Sequence, residues 1–385
     1  MHEKIISAVV SAAFVLMTAV PVCAQEENKL CYLENTDKAE FEVSAVSAIL
    51  IEADTATVLF SKNEKEHRQI ASTTKIMTAL LTLEAGEPDK EFQVDSAAIK
   101  VEGTSMGLRE GDKVTRRALC YGMLLPSGND AANAAAVNIS GSKTAFAKLM
   151  NSRAKEIGMN DTNFITPSGL DAEGQYSCAY DLAMLAREAM KNKDFAGICA
   201  LSKAKVSFGN PVSERWLVNS NKLLTSYDGC IGVKTGFTDS ARRTLVSCAE
   251  RDGVKLIAVT LNAPDDWSDH TKMLDYGFEK VKMCDFTYDT TELILPVIGS
   301  DKETDSVKLP LCDEQKEKVT VKIYLPGFVY AGLSAGDKVG EICYELSGKT
   351  VAATELTAAE SCVRIEQKAD IFTVIYKFIA GLLTR

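Results

Sequence analysis

Three short words, far apart in the chain, carry residue types suited to acyl transfer: Ser72-Thr73-Thr74-Lys75, Ser127-Gly128-Asn129 and Lys234-Thr235-Gly236. A serine hydroxyl is a weak nucleophile until a base takes its proton. Lysine acts as that base only when desolvation or a second cation pulls its pKa well below the usual value. The first word supplies the serine and the lysine, and the third supplies the second cation. Read together, in this order, the words describe one serine–lysine machine.

Local geometry follows from what surrounds each word. After Lys75, the apolar residues Ile76, Met77, Leu80, Leu81 and Leu83 recur at helical spacing, so Ser72 is expected at the start of a buried helix. An i, i+3 pair shares one helix face, which lets Lys75 reach the Ser72 hydroxyl. A helix start also presents free N–H groups and a positive dipole end, both suited to an oxyanion. The plain alternative is that Ser72 only caps the helix. Ser127-Gly128-Asn129 lies between Met123-Leu124-Leu125-Pro126 and the small-residue run from Asp130 to Ala136, a tight turn between helices. Lys234-Thr235-Gly236 sits in a stretch of strand character, where glycine lets another backbone or a substrate come close. An ordinary turn and a glycine-marked strand end are the plain readings of these two words, and all three plain readings would have to hold at once.

The chain resembles the D-alanyl-D-alanine carboxypeptidases, the low-molecular-mass penicillin-binding proteins of serine peptidase family S11. The likeness extends beyond the three words to Ser105–Asp112, Met123–Ala132, Asn163–Asp171 and Asp275-Tyr276-Gly277-Phe278. It runs from about Val43 to Cys284 and more loosely to the C-terminus. Two departures stand out. Gln69-Ile70-Ala71 lacks the proline common before the nucleophile, and Arg242 and Arg243 replace small or aromatic residues on the rim.

The resemblance implies a mechanism. Ser72 attacks the carbonyl of a D-Ala–D-Ala bond in a peptidoglycan stem peptide, and Lys75 takes its proton. The backbone N–H groups of Ser72 and Phe237 hold the oxyanion. Ser127 relays protons, Asn129 orients the substrate amide, and Lys234 and Thr235 attract the terminal carboxylate while Gly236 leaves room for the peptide. β-Lactams would acylate the same serine. The implied fold is α+β, a penicillin-binding/β-lactamase-like transpeptidase domain with an antiparallel sheet and helices.

Rival chemistries are weaker. Of His2, His67 and His270, none lies in a setting for a Ser-His-Asp triad, and no G-x-S-x-G elbow occurs. No His, Cys or carboxylate cluster reads as a metal site, and no cofactor is implied. A class A β-lactamase needs a deacylating glutamate between the second and third words. Glu156 and Glu173 lie there, but neither has the E-x-x-L-N context. A DD-endopeptidase and a non-catalytic penicillin sensor are the remaining alternatives.

The 385 residues suit two domains, with 46% hydrophobic residues, enough for a core. A net charge of −10 without basic runs argues against nucleic-acid partners. Residues 1–24 read as an export leader: Lys4, an apolar stretch from Ile5 to Val20, then Val22-Cys23-Ala24 as a cleavage site. Export implies action at the outer face of the cytoplasmic membrane, near the wall. The remaining cysteines are scattered, without C-x-x-C, and are expected to be mostly buried thiols.

A strand pair (Ala45–Ile51, Thr57–Phe60), a long helical middle from Ser72 to about Asn192, and strands from Lys234 to Leu261 make up the catalytic domain, residues 25–285. Residues 286–365 hold five or so short β runs without helix, from Glu292–Ile298 to Thr350–Ala353, and read as a small all-β sandwich. In 366–385, Ile371, Phe372, Ile375, Phe378, Ile379 and Leu382 fall on one helical face. So short a helix, at about 1.5 Å per residue, does not cross a core of about 30 Å, but it can lie in the membrane interface.

Overall fold

The computed structural model describes residues 30–33, 39, 41–289, 304–325, 333–358 and 361. The leader, the run Glu292–Ile298 and the 366–385 helix of the sequence reading lie outside them. The described residues fall into two compact units, those of 25–284 with 308–319, and those of 285–307 with those from 320 onward.

In the larger unit the strands β1 (Cys31–Tyr32), β2 (Ser47–Glu52) and β3 (Thr57–Lys62) precede a 3-10 turn, Ala71–Thr74, and helix α1 (Lys75–Glu84). The short hairpin β4 (Glu91–Gln93) and β5 (Lys113–Thr115) leads into α2 (Arg116–Leu124), α3 (Asn129–Ser140), α4 (Lys143–Ile157), α5 (Ala179–Lys191) and α6 (Lys193–Cys199). A second hairpin, β6 (Lys203–Gly209) and β7 (Val212–Val218), and a single turn α7 (Leu223–Ser226) bring the chain to β8 (Cys230–Thr238), β9 (Arg242–Arg251), β10 (Val254–Leu261) and α8 (Asp266–Lys280).

The central sheet has the order β1-β3-β2-β10-β9-β8, antiparallel except where β1 joins β3. Its inner strands read Ser-Ala-Ile-Leu-Ile-Glu and Val-Lys-Leu-Ile-Ala-Val-Thr-Leu, nearly continuous apolar runs, because both faces are covered. The period-two alternation of a strand then sorts the side chains. Ile49, Ile51, Ile257 and Val259 pack towards the helical layer, whereas Ala48, Leu50, Leu256 and Ala258 pack with Met273 and Leu274 of α8. Gly277 permits that second contact: a Cβ there would stand 2.6 Å from Leu256 Cδ1. Each large aliphatic side chain buried this way contributes roughly 1.5–3 kcal/mol.

β8 ends the sheet, so the strand that carries Lys234-Thr235-Gly236 has one unpaired side facing the helices. Helix α1 is buried along nearly its whole length, from Lys75 to Leu83, and anchors the first word.

The described part of the second region contains β11 (Lys282–Asp289), β12 (Thr304–Leu311), β13 (Val319–Tyr324), β14 (Lys338–Leu346) and β15 (Lys349–Thr357). β11 pairs with β12, and β13-β14-β15 form a sheet. Ser347 and Gly348, both at positive φ, make the tight turn between β14 and β15. The all-β character expected from the sequence is present, with Ile342, Tyr344 and Leu346 buried.

Three expectations need correction. The middle from Ser72 to about Asn192 is not uninterruptedly helical, since the β4–β5 hairpin breaks it. Ser72 lies in the 3-10 turn, and the α-helix begins at Lys75. The 286–365 range read as helix-free holds one helical turn, α9 (Asp313–Lys316), which belongs to the larger unit and is capped by Gln315 folding back on the Cys312 N–H. Among the described residues no disulfide forms, and no helix is long and apolar enough to cross a membrane.

Candidate active site

Four elements meet at Lys75. Its side chain is fully buried, and its Nζ lies 2.8 Å from Ser72 Oγ, 2.7 Å from Asn129 Oδ1 and 2.6 Å from the Ser168 carbonyl. The Asn129 amide is oriented by its other end, where Nδ2 donates to the Glu102 carbonyl at 2.8 Å. Its Oδ1, like the Ser168 carbonyl, can therefore only accept. Of the three neighbours, only the Ser72 hydroxyl can also donate. A neutral amine has two N–H groups and one lone pair. Two donations to Asn129 and Ser168 leave that lone pair for the Ser72 proton.

Electrostatics favour the neutral form. Burial pulls the Lys75 pKa well below its usual value, the Lys234 cation lowers it further, and Asp130 acts in the opposite direction. Lys234 is itself buried on β8, which brings its pKa down to about 7. Its Nζ donates to the Thr235 carbonyl at 2.8 Å. Two ammonium groups desolvated in one place cannot both stay charged cheaply.

The backbone around the site is held in sparsely populated conformations. Ala71, just before Ser72, has φ +47°, and Ser127 has φ +67°. Such strain persists only where neighbours fix it. Gly169 shows how closely the chain packs here: at φ +83°, a Cβ would stand 2.0 Å from the Ala71 carbonyl oxygen. That contact sets the Ser168 carbonyl against Lys75. Gly236 is equally confined, since a Cβ would meet Thr244 Oγ1 at 2.3 Å and the Ser72 nitrogen at 3.0 Å. β8 thus runs alongside the Ser72 main chain, and Thr244 Oγ1 ties β9 to the Ile70 carbonyl at 3.2 Å.

The sequence-predicted residues converge, with one at the periphery. Ser72, Lys75 and Asn129 are joined directly, and Gly236 lies against the Ser72 backbone. Ser127 is buried at the turn before α3, and Thr235 is half-buried on β8. Phe237 is 57% exposed at the outer end of that strand. Glu156 faces solvent on α4, paired with Arg153, and Glu173 is exposed in the loop before α5. Arg243 is tied to Asp266 at 2.6 Å, so one of the two rim arginines is fixed at the start of α8. The Ser168 carbonyl, Asp130 and the Glu102 carbonyl escaped sequence reasoning.

Residues 34–265 match the family model described as D-alanyl-D-alanine carboxypeptidase. The chain belongs to that family. Residues 297–364 match a second one, the C-terminal domain of penicillin-binding protein 5. This carboxypeptidase is 33% identical to the D-alanyl-D-alanine carboxypeptidase DacF of Bacillus subtilis, over 84% of the chain and 87% of that protein. It is 31% identical to DacC of Escherichia coli, with 88% of each covered. Among solved structures, the Streptomyces K15 DD-transpeptidase matches at a TM-score of 0.60 and 33% identity, covering 63% of this carboxypeptidase and 99% of that chain. DacD of Francisella tularensis matches at 0.61 and 25% identity, covering 85% and 96%. These matches establish a serine-type, penicillin-binding carboxypeptidase on a transpeptidase fold.

Proposed function

We propose that this enzyme removes the terminal D-alanine from peptidoglycan stem peptides through an ester on Ser72, and that β-lactams acylate the same hydroxyl. The observation that carries this reading is the bonding of Lys75: two fixed acceptors and one hydroxyl around a buried amine. The Ser72 proton passes to Lys75 Nζ as Oγ bonds to the penultimate D-alanine carbonyl carbon. The backbone N–H groups of Ser72 and Phe237 receive the developing oxyanion. Ser127 hands a proton to the departing amine, D-alanine leaves, and water then cleaves the ester. Lys234 and Thr235 hold the terminal carboxylate, Asn129 orients the substrate amide, and Gly236 keeps the strand open to the peptide. With a β-lactam the broken amide stays tethered, so the ester persists.

Incubating the pure enzyme with a pentapeptide ending in D-Ala-D-Ala and measuring free D-alanine tests this directly. Catalytic release by the wild type and none by Ser72→Ala is the expected result.

The rest of the organisation is proposed from the sequence. Residues 1–24 direct export, 25–285 form the catalytic domain, 286–365 the β domain, and 366–385 an amphipathic helix that holds the enzyme on the outer membrane face. The names of the bacterial carboxypeptidase relatives support a place at the cell wall.

A further inference from the structure

Asp130 directly follows the second word, in the first turn of α3. The helix dipole favours an acidic residue at a helix start, but aspartate is seldom fully buried without a partner, and this one is 1% exposed. Among the described residues no cation forms an ion pair with it. Its charge is satisfied by five donors instead. Oδ1 accepts from the Met106 and Ala131 N–H groups, both at 2.9 Å, and Oδ2 from Ser105 Oγ at 2.5 Å and the Gly107 and Leu108 N–H groups at 3.0 Å.

The segment gathered by those bonds grips the second word. The Thr104 carbonyl accepts the Asn129 N–H at 2.7 Å, and Thr104 Oγ1 donates to the Ser127 carbonyl at 2.5 Å. At Gly128 a Cβ would stand 2.7 Å from Asp130 Oδ1 and 2.9 Å from the Met106 nitrogen, so the carboxylate and the turn fit one another closely. The turn in turn presents Asn129 Oδ1 to Lys75 at 2.7 Å.

We propose that Asp130 is a positioning residue of this site: its carboxylate anchors the 104–108 segment that holds Ser127 and Asn129 against Lys75, and its charge opposes that of Lys234 across Lys75. The inference rests on the reading of Ser72 and Lys75 as nucleophile and base. The charged groups acting on Lys75 are Lys234 from β8 and Asp130 from α3, while Ser72, Asn129 and the Ser168 carbonyl are neutral. Asp130 favours the charged ammonium, so removing its charge makes Lys75 easier to deprotonate.

The test is the pH profile of acylation by a fluorescent penicillin, with folding checked by thermal melting. For Asp130→Asn, two effects are expected: a plateau rate at least about tenfold lower, from the loosened geometry, and an acid limb moved to lower pH by roughly one unit. A lower plateau with an unmoved limb would mean a purely structural carboxylate and would overturn the proposal, as would an unchanged profile. If Asp130→Asn does not fold, Ser105→Ala removes one donor and keeps the charge. Acylation several-fold slower at an unchanged limb is then expected, and an unchanged rate overturns the anchoring. Ser72→Ala run alongside separates the two readings: labelling that persists there defeats the nucleophile assignment, whatever Asp130 does.

Discussion

Asn129 offers its amide oxygen to Lys75 at 2.7 Å while its amide nitrogen is committed to the Glu102 carbonyl at 2.8 Å. That commitment makes Asn129 a fixed acceptor, so the lysine must donate to it. The Ser168 carbonyl makes the same demand from the other side. A charged ammonium would have to donate to Ser72 as well, whereas a neutral amine can take the Ser72 proton. Burial and the neighbouring Lys234 both favour the neutral form.

Lys75→Ala removes the proposed base, the amine bonded to Ser72 Oγ. Losing a proton-transfer group typically costs ~10²–10⁴-fold in rate. Stopped-flow acylation with a fluorescent penicillin should show a loss in that range, with thermal melting used to confirm that the variant is folded. Acylation near the wild-type rate would show that another group activates the serine.

Lys234→Ala should move the acid limb of acylation upward. The Lys234 cation lowers the Lys75 pKa, so without it Lys75 keeps its proton to higher pH. At a fixed pH below the limb, fewer molecules then hold a neutral base. The same variant should lose its preference for a free terminal carboxylate over the corresponding amide. A wild-type acid limb together with an intact carboxylate preference would contradict both roles given to Lys234.

How much of this was legible beforehand depended on where the information sits. The three words were readable because the proposed nucleophile, base and second cation are side chains held in short local patterns. The Ser168 carbonyl was not, since a backbone acceptor leaves no mark in residue type; only the adjacent Gly169, whose Cβ would collide with Ala71, hints at the close approach. Asp130 passed as the first residue of a small-residue run, because sequence spacing does not reveal that the 104–108 segment folds back over it. The core strands were evident from their apolar runs. The hairpin β6–β7 was missed because its outer face alternates polar with exposed apolar residues such as Val212, Trp216 and Val218, which defeats a burial pattern.

Gly169→Ala tests the contact that sets the Ser168 carbonyl in place. The added Cβ meets backbone at 2.0 Å, not a flexible side chain, so the loop or the 3-10 turn must move. Overpacking of this kind costs about 1–3 kcal/mol. Thermal melting should show that loss, and acylation should slow as the Lys75 acceptor shifts. Wild-type stability and rate together would mean the loop yields without consequence.

Removal of residues 366–385 should free the enzyme from membranes and leave hydrolysis of a small soluble pentapeptide nearly unchanged. Fractionation of cells expressing both forms measures the first, and D-alanine release the second. Truncated enzyme that still pellets with membranes would place the anchor elsewhere.

The central claim is that Ser72 forms the ester, and mass spectrometry after reaction with a penicillin tests it most directly. Intact protein should gain the full mass of one β-lactam, peptide mapping should assign that mass to Ser72, and Ser72→Ala should gain nothing. A β-lactam adduct on any other residue, or one retained by a folded Ser72→Ala protein, would contradict the account.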